Sequence, residues 1–204
     1  MRIIIIRHGK TLANLLNENG TIFYTGALDS EITNLSEEGI ESAKKLHYIQ
    51  EIQKIQKIYC SGLSRAIKTA NLLNLSCPVI VDERLNERSL GVFEGKMQAD
   101  LLKSSYQKYI TDDNYNKFRT DFKQKAPEGE NYEDVYNRCR QFLMDLPIDQ
   151  DITIGIVSHL NTIRCLLLIL LNINPKEKIF DIKVEHATPY ILEGKKLGDF
   201  KMLK

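Results

Sequence analysis

Apolar positions fall into alternating strand-like and helix-like runs along the chain. Arg2 to Arg7 encloses four consecutive isoleucines, the continuous β-branched pattern of a strand covered on both faces. Ile152 to Val157 is a second unbroken apolar run. Lys57 to Cys60 and Val79 to Val81 (after Pro78) are shorter strand signals. Helical spacing predicts a helix over Ser36 to Ile55. Ser36 can cap it, Glu37 and Glu38 complement its dipole, and Ile40, Ala43, Leu46, Ile49 and Ile52 recur near helical spacing. Further helices are predicted over Leu63 to Leu73, over Asn131 to Leu146 (closed by Pro147) and over the leucine-rich Leu160 to Leu171. Near the end, Tyr190 to Leu192, Glu193-Gly194-Lys195 and Lys196 to Phe200 predict a β-hairpin. The stretch from about 96 to 125 is polar and aromatic, reads as helical and lacks a strand signal.

Repeated strand-then-helix units predict an α/β fold with a mostly parallel central sheet flanked by helices. With no linker, repeat or low-complexity tract, residues 1–204 read as one domain, with about 96–125 inserted as a small helical cap. In such sheets chemistry collects at the carboxyl ends of the strands.

Composition narrows the partners. The chain has 28 Lys and Arg against 27 Asp and Glu, a formal net charge of +1. That leaves no global field for nucleic acid or an anionic membrane, so anion binding must come from a local positive cluster. The apolar run at the N-terminus is short and stopped by Arg7, unlike a signal peptide. Cys60, Cys77, Cys139 and Cys165 are scattered, as in a reduced, cytoplasmic protein. His8, His47, His159 and His186 lie far apart, so no metal or cofactor is expected. Oligomeric state is not readable, and a homodimer stays open.

The strand ends carry the chemistry. The first strand runs into Arg7-His8-Gly9, the second into Ser61 and Arg65, and the last long one into Ser158-His159. An acidic, glycine-bearing loop from Glu83 to Gly95 follows the third. Two arginine forks suit a phosphate or carboxylate. A neutral imidazole is a competent nucleophile, and a carboxylic acid can protonate a leaving oxygen. The set suits phosphoryl transfer from an ester to water.

These residues carry a family resemblance. Arg7-His8-Gly9-Lys10-Thr11 with Asn14 resembles the R-H-G-x-T-x-x-N signature of the histidine phosphatase, or phosphoglycerate mutase-like, superfamily. Tyr24-Thr25-Gly26 and Leu35-Ser36-Glu37-Glu38-Gly39 resemble its next blocks. The run from Ser61 through Leu63 and Arg65-Ala66 to Thr69-Ala70 resembles S-x-L-x-R-A-x-x-T-A. Leu85-Asn86-Glu87 through Gly91 to Glu94-Gly95 resembles L-x-E-x-x-x-G-x-x-E-G. Pro127-Glu128-Gly129-Glu130 resembles P-x-G-E, and Val157-Ser158-His159 with Ile163-Arg164 resembles V-S-H-G-x-x-I-R. The blocks follow the family's order from residue 2 to about residue 170.

The resemblance implies a three-layer, phosphoglycerate mutase-like sandwich and a phosphatase that needs no metal. His8 would be the phosphorylated nucleophile. Arg7, Arg65 and His159 would form the phosphate pocket, completed by Asn14 and by backbone donors at Thr25-Gly26 and after His159. Glu87 would be general acid, then base; Glu83, Glu94, Glu128 and Glu130 are nearby rivals. Leu160 stands where another branch of the family has an aspartate donor, so the sequence resembles the branch with its donor in the Glu87 loop. Arg88 reaches a second anionic group on the substrate or is exposed. His47 and His186 read as structural or surface residues. Lys10, often Glu in the family, and Leu160-Asn161, often glycine-containing, depart from the pattern, as does the position near His186. Lys10, Arg88, Lys96, Tyr106, Tyr109, Tyr115 and Phe118 are candidates to line the substrate space. A phosphoglycerate mutase and a non-catalytic or protein-phosphatase signalling module are the alternatives to hydrolysis of a small phosphorylated substrate.

Overall fold

The isoleucines of the first strand divide between two cores. In the computed structural model, which describes residues 1–174 and 178–203, Ile3 and Ile5 face one hydrophobic cluster and Ile4 and Ile6 the other. All four are fully buried. The single-domain reading of 1–204 includes residues 175–177 and 204, which lie outside the described residues.

The elements run in chain order as β1 (Arg2–Arg7), α1 (Leu12–Glu18), β2 (Phe23–Tyr24), α2 (Glu37–Lys45), β3 (Lys57–Cys60), α3 (Ser64–Leu72), β4 (Val79–Val81), β5 (Lys96–Met97), α4 (Gln98–Leu101), α5 (Lys108–Thr111), α6 (Tyr132–Met144), β6 (Thr153–Ser158), α7 (Leu160–Leu170), β7 (Pro189–Glu193) and β8 (Lys201–Met202). Six strands form the central sheet in the order β4-β3-β6-β1-β7-β8. The first four are parallel, β7 runs antiparallel to β1, and β8 runs antiparallel to β7. On one face, α6 and α7 bury Phe142, Leu143, Leu166 and Leu170 against Ile3, Ile5, Ile154 and Ile156. On the other, α3 and the segment after α2 bury Ala66, Ala70, Leu46 and Ile52 against Ile4, Ile6, Ile58 and Cys60. The fold is the α/β sandwich expected, with a mostly parallel sheet between helical layers.

Three local expectations are corrected. The helix predicted over 36–55 is α2 only as far as Lys45, followed by 3-10 turns at Leu46–Tyr48 and Ile52–Lys54. Its apolar residues recur every three positions. In an α-helix each such step falls about 60° short of a full turn, whereas a 3-10 helix has three residues per turn. The period was that of the tighter helix. The hairpin's second strand is β8, later than residues 196–200. There the Asp199 carboxylate accepts from the Lys195 and Lys196 N–H groups, and Phe200 is buried against Gly194, so 194–200 form a loop. The cap carries short helices, but it also holds β5, paired antiparallel with β2. Two residues per strand are too few for an alternating signal. Beneath the cap, Phe93 and Phe118 join Tyr24, Leu101 and Ala126 in a third hydrophobic cluster.

The four cysteines are free thiols. No helix among the described residues is long and apolar enough to cross a membrane.

Candidate active site

The carboxyl ends of β1, β3 and β6 bring His8, Ser61 and His159 together. The loop after β1 is held by close packing. Gly9 lies against Gly39, the third residue of α2, and a Cβ on either glycine would overlap the other segment's backbone. Ser36 reinforces this contact: its N–H and hydroxyl both donate to the Lys10 carbonyl, at 2.9 and 3.1 Å. From the other side, the Thr69 hydroxyl on α3 accepts the Gly9 N–H at 3.0 Å. The motif around Ser36 and the Thr69 position of the Arg65 motif thus hold the loop that presents His8.

The His8 ring is 4% exposed and its Nδ1 lies 2.7 Å from the Gly9 carbonyl. A carbonyl only accepts, so Nδ1 carries the proton and Nε2 the lone pair. Burial first, then Arg65 and Arg7, hold His8 well below the usual histidine range. It is neutral at physiological pH, the nucleophilic form.

His159 lies beside it, the two ring centroids 5.0 Å apart. The Ser61 hydroxyl donates to Asn86 Oδ1 at 2.8 Å, so it must accept from His159 Nε2, also at 2.8 Å. Nδ1 of His159 is buried without a partner. Burial, with Arg65 and His8 next in weight, keeps this ring neutral too.

Both pocket arginines are tied to main chain. Arg65, 2% exposed, donates from its terminal nitrogens to the Leu28 and Gly26 carbonyls at 2.7 and 3.0 Å. Arg7 donates to the Val184 carbonyl at 2.8 Å, and its Nε is buried without a partner. Burial lowers Arg7 to about 10, against the opposing pull of Glu87, and it stays charged at neutral pH.

Glu87 is set by its neighbours. The Leu85 carbonyl accepts from the Ser158 hydroxyl and the Asn86 carbonyl from the Thr162 hydroxyl, so strand β6 and helix α7 grip the loop on each side. The Glu87 carboxylate accepts the Arg88 N–H at 2.8 Å and the Asn161 N–H at 3.3 Å. Its rivals differ. Glu94 accepts from Ala27 and Leu90 N–H groups and from the Ser89 hydroxyl, and Glu130 pairs with Arg138 and accepts the Ser89 N–H. Both brace loops. Gly91, at a φ of +52°, lies against Pro127 and Glu128, so the P-x-G-E segment supports the same loop. Neither Glu83 nor Glu128 lines the pocket.

The result is an inner pocket of about 100 Å³ lined by Arg7, His8, Asn14, Thr25, Gly26, Arg65 and Glu87, with Leu160 and Asn161 at its edge; His159, expected in the phosphate pocket, is fully buried beside His8 and does not line it. Thr25 offers a buried hydroxyl without a partner. Asn14 also has a local duty, its Oδ1 accepting from Thr11 in the capping box of α1.

Some expectations are not met. Arg88 is not exposed: 97% of it is covered, it donates to the Phe118 carbonyl at 2.7 Å and lies over the Tyr132 ring at 4.3 Å. It lines an outer cavity of about 470 Å³ rather than the inner pocket. That cavity shares Arg7, Asn14, Thr25 and Leu160 with the inner one. Of the other candidates for substrate space, Lys10 is drawn away by Glu18 and Glu38, Lys96 lies over Tyr106, and Phe118, Tyr106 and Tyr109 pack on Phe93. None of these, nor Tyr115, lines the outer cavity. The Asn161 N–H after His159 serves Glu87.

Sequence reasoning passed over His186 as a site neighbour. Its ring meets that of His8 edge-on at 5.3 Å, and its Nδ1–H donates to the His8 carbonyl at 3.0 Å. The adjacent Ala187 N–H donates to the Arg7 carbonyl. No local pattern marks such a residue, because its role arises from a bridge across 178 positions. Burial, then Arg7, lowers His186 to about 4.

The pattern of the histidine phosphatase superfamily (branch 1) matches residues 3–200. The adenosylcobalamin/alpha-ribazole phosphatase of Escherichia coli is 30% identical over 191 residues, covering 92% of this chain and 87% of that protein. A 2,3-bisphosphoglycerate-dependent phosphoglycerate mutase of Porphyromonas gingivalis is 28% identical over 225 residues, covering 94% and 86%. Among solved structures, a phosphoserine phosphatase from Entamoeba histolytica in complex with 3-phosphoglyceric acid superposes with a TM-score of 0.76 at 26% identity, covering 100% of this chain and 95% of that one.

Proposed function

The chain belongs to the histidine phosphatase superfamily, and from that premise we propose that it hydrolyses a small phosphomonoester through a phosphohistidine at His8. The observation that carries the reading is the His8 ring itself. It is neutral, with Nδ1 committed to Gly9 and Nε2 left for the pocket that Arg7, Arg65 and Glu87 line.

In the first half-reaction Nε2 of His8 attacks phosphorus. A P–N bond forms, the ester P–O bond breaks, and Glu87 as its carboxylic acid gives the leaving alkoxide a proton. In the second, the Glu87 carboxylate takes a proton from water as the water oxygen attacks phosphorus. The P–N bond breaks, phosphate leaves and His8 regains its lone pair. Splitting one displacement in two lowers each barrier. Arg7 and Arg65 stabilise the equatorial oxygens from a water-poor site, where fixed charges act strongly. The positive charge comes from these side chains, so the reading assigns no metal. A bound phosphoryl dianion raises the proton affinity of His159, and Nδ1–H then becomes a further donor.

The test is release of phosphate from a panel of esters by the protein and by its His8→Ala variant. Turnover by the first and none by the second is expected. Turnover by both, or by neither, overturns the reading. Interconversion of 2- and 3-phosphoglycerate faster than phosphate release would assign the same site to a mutase.

A further inference from the structure

Arginine pairing is uneven across this molecule. Of nine arginines, Arg2, Arg84 and Arg138 form ion pairs with carboxylates. Among the described residues, five of the remaining six line the inner pocket or the outer cavity: Arg7, Arg65, Arg88, Arg119 and Arg164. No aspartate or glutamate lines the outer cavity. With Glu87 the one carboxylate lining the inner pocket, five clustered guanidinium groups still repel one another and remain together because the fold holds them. The phosphoryl dianion of the substrate answers Arg7 and Arg65. Arg88 is buried, donating to the Phe118 carbonyl over the Tyr132 ring with its Nε left without a partner. Arg119 and Arg164 are less buried and, like it, are left without an anion.

Those two come from different elements. Arg164, on α7, is fixed through its Nε, which donates to the Ile182 carbonyl at 2.9 Å. Arg119, on the cap, lies over the Tyr24 ring at 5.7 Å, between the outer cavity and a second hollow under the cap. Asn17 and Asn161 add neutral polar groups to the same cavity.

We propose that Arg119 and Arg164 form a subsite for a second anionic group, so that the substrate is a compact phosphomonoester also bearing a carboxylate or a further phosphate. The proposal rests on the phosphatase reading of the inner pocket and adds to it the chemistry of the rest of the substrate. A planar guanidinium fork holds either anion through paired charge-assisted hydrogen bonds.

Two ester pairs test it. 3-Phosphoglycerate differs from glycerol 3-phosphate by a carboxylate, and fructose 1,6-bisphosphate from fructose 6-phosphate by a phosphate. The expected kcat/KM ratio in at least one pair is roughly tenfold or more in favour of the doubly anionic ester. The pair with the larger ratio identifies the anion. Arg119→Gln and Arg164→Gln should each move that ratio toward one, chiefly by raising KM for the doubly anionic ester. A ratio near one in both pairs, or a ratio unchanged in both variants, overturns the proposal while leaving the phosphatase reading intact. Calorimetric binding of the same esters to the His8→Ala protein separates the two readings if no ester turns over. Preferential binding of a doubly anionic ester would support the subsite without the chemistry, and equal or absent binding would sink it.

Discussion

The inner pocket and the cap hold their side chains by different means. At the pocket His8, Arg65 and Arg7, and beside it His159, each bond to a fixed group on the backbone or on a neighbouring strand end. In the cap, the contacts are rings on rings, such as Phe93 with Phe118 and Tyr109 with Tyr115, and cations over rings, such as Lys96 over Tyr106 and Lys108 over Tyr115. Directional hydrogen bonds fix orientation, whereas ring packing admits several offset and edge arrangements at similar energy. On the proposed function, the rigid geometry serves the phosphoryl group, and the cap is a piece that can change without disturbing the reaction.

The sharpest way to break this contrast is to substitute one residue on each side. His8→Ala should lower turnover by roughly 10⁴-fold or more, as removal of a covalent nucleophile does. Tyr115→Ala, on the exposed side of the cap, should change it by less than about twofold. Comparable losses at both positions would show that the cap takes part in the chemistry.

A smaller loss, about 10²- to 10⁴-fold, is expected for Glu87→Gln on alkyl esters. With p-nitrophenyl phosphate, whose leaving group departs without a proton, the first half-reaction should be spared. A burst of p-nitrophenol followed by slow steady turnover would reveal this, because water attack still needs the Glu87 carboxylate. No burst, with equal losses on both ester types, would remove the acid role.

The smallest effect concerns stability. His8, His159 and His186 all sit below the ordinary value of 6.5 in the folded chain, His186 at about 4. Between those limits the unfolded chain holds more protons than the folded one, so stability is full above about pH 6.5 and falls as pH drops toward 4. His186→Asn should flatten that fall by at most about 1.4 kcal/mol per pH unit. Denaturant midpoints measured across the interval check this, and an unchanged slope would contradict the burial of His186.

The contrast also explains what was legible in the sequence. Strands β1, β3 and β4 have the bounds expected of them: β1 holds a continuous β-branched run that is buried throughout, β3 alternates buried and half-buried residues, and β4 is a short, exposed β-branched edge strand that begins after Pro78. Helices α6 and α7 end within two residues of expectation, with Asn131 capping α6 and Pro147 closing the segment after it. The pocket was legible because strand ends are fixed by topology: once β1, β3 and β6 are parallel neighbours, Arg7, Ser61 and Ser158 must lie side by side. The cap was not. Strand β5 is too short for a pattern, and Arg88 looks like any charged loop residue until the Phe118 carbonyl and the Tyr132 ring are seen against it. His186 was hidden for the same reason, since its partner is the His8 carbonyl at the other end of the chain.

The central claim is that His8 carries the phosphoryl group on Nε2. Rapid quenching during turnover, followed by intact mass measurement and phosphorus NMR of the denatured protein, tests it directly. The account predicts one added phosphoryl group, acid-labile and alkali-stable, on Nε2 of His8 and absent from His8→Ala. A phosphoryl group on Nδ1 or on another residue, or steady turnover with no protein-bound phosphorus at any quench time, would contradict it.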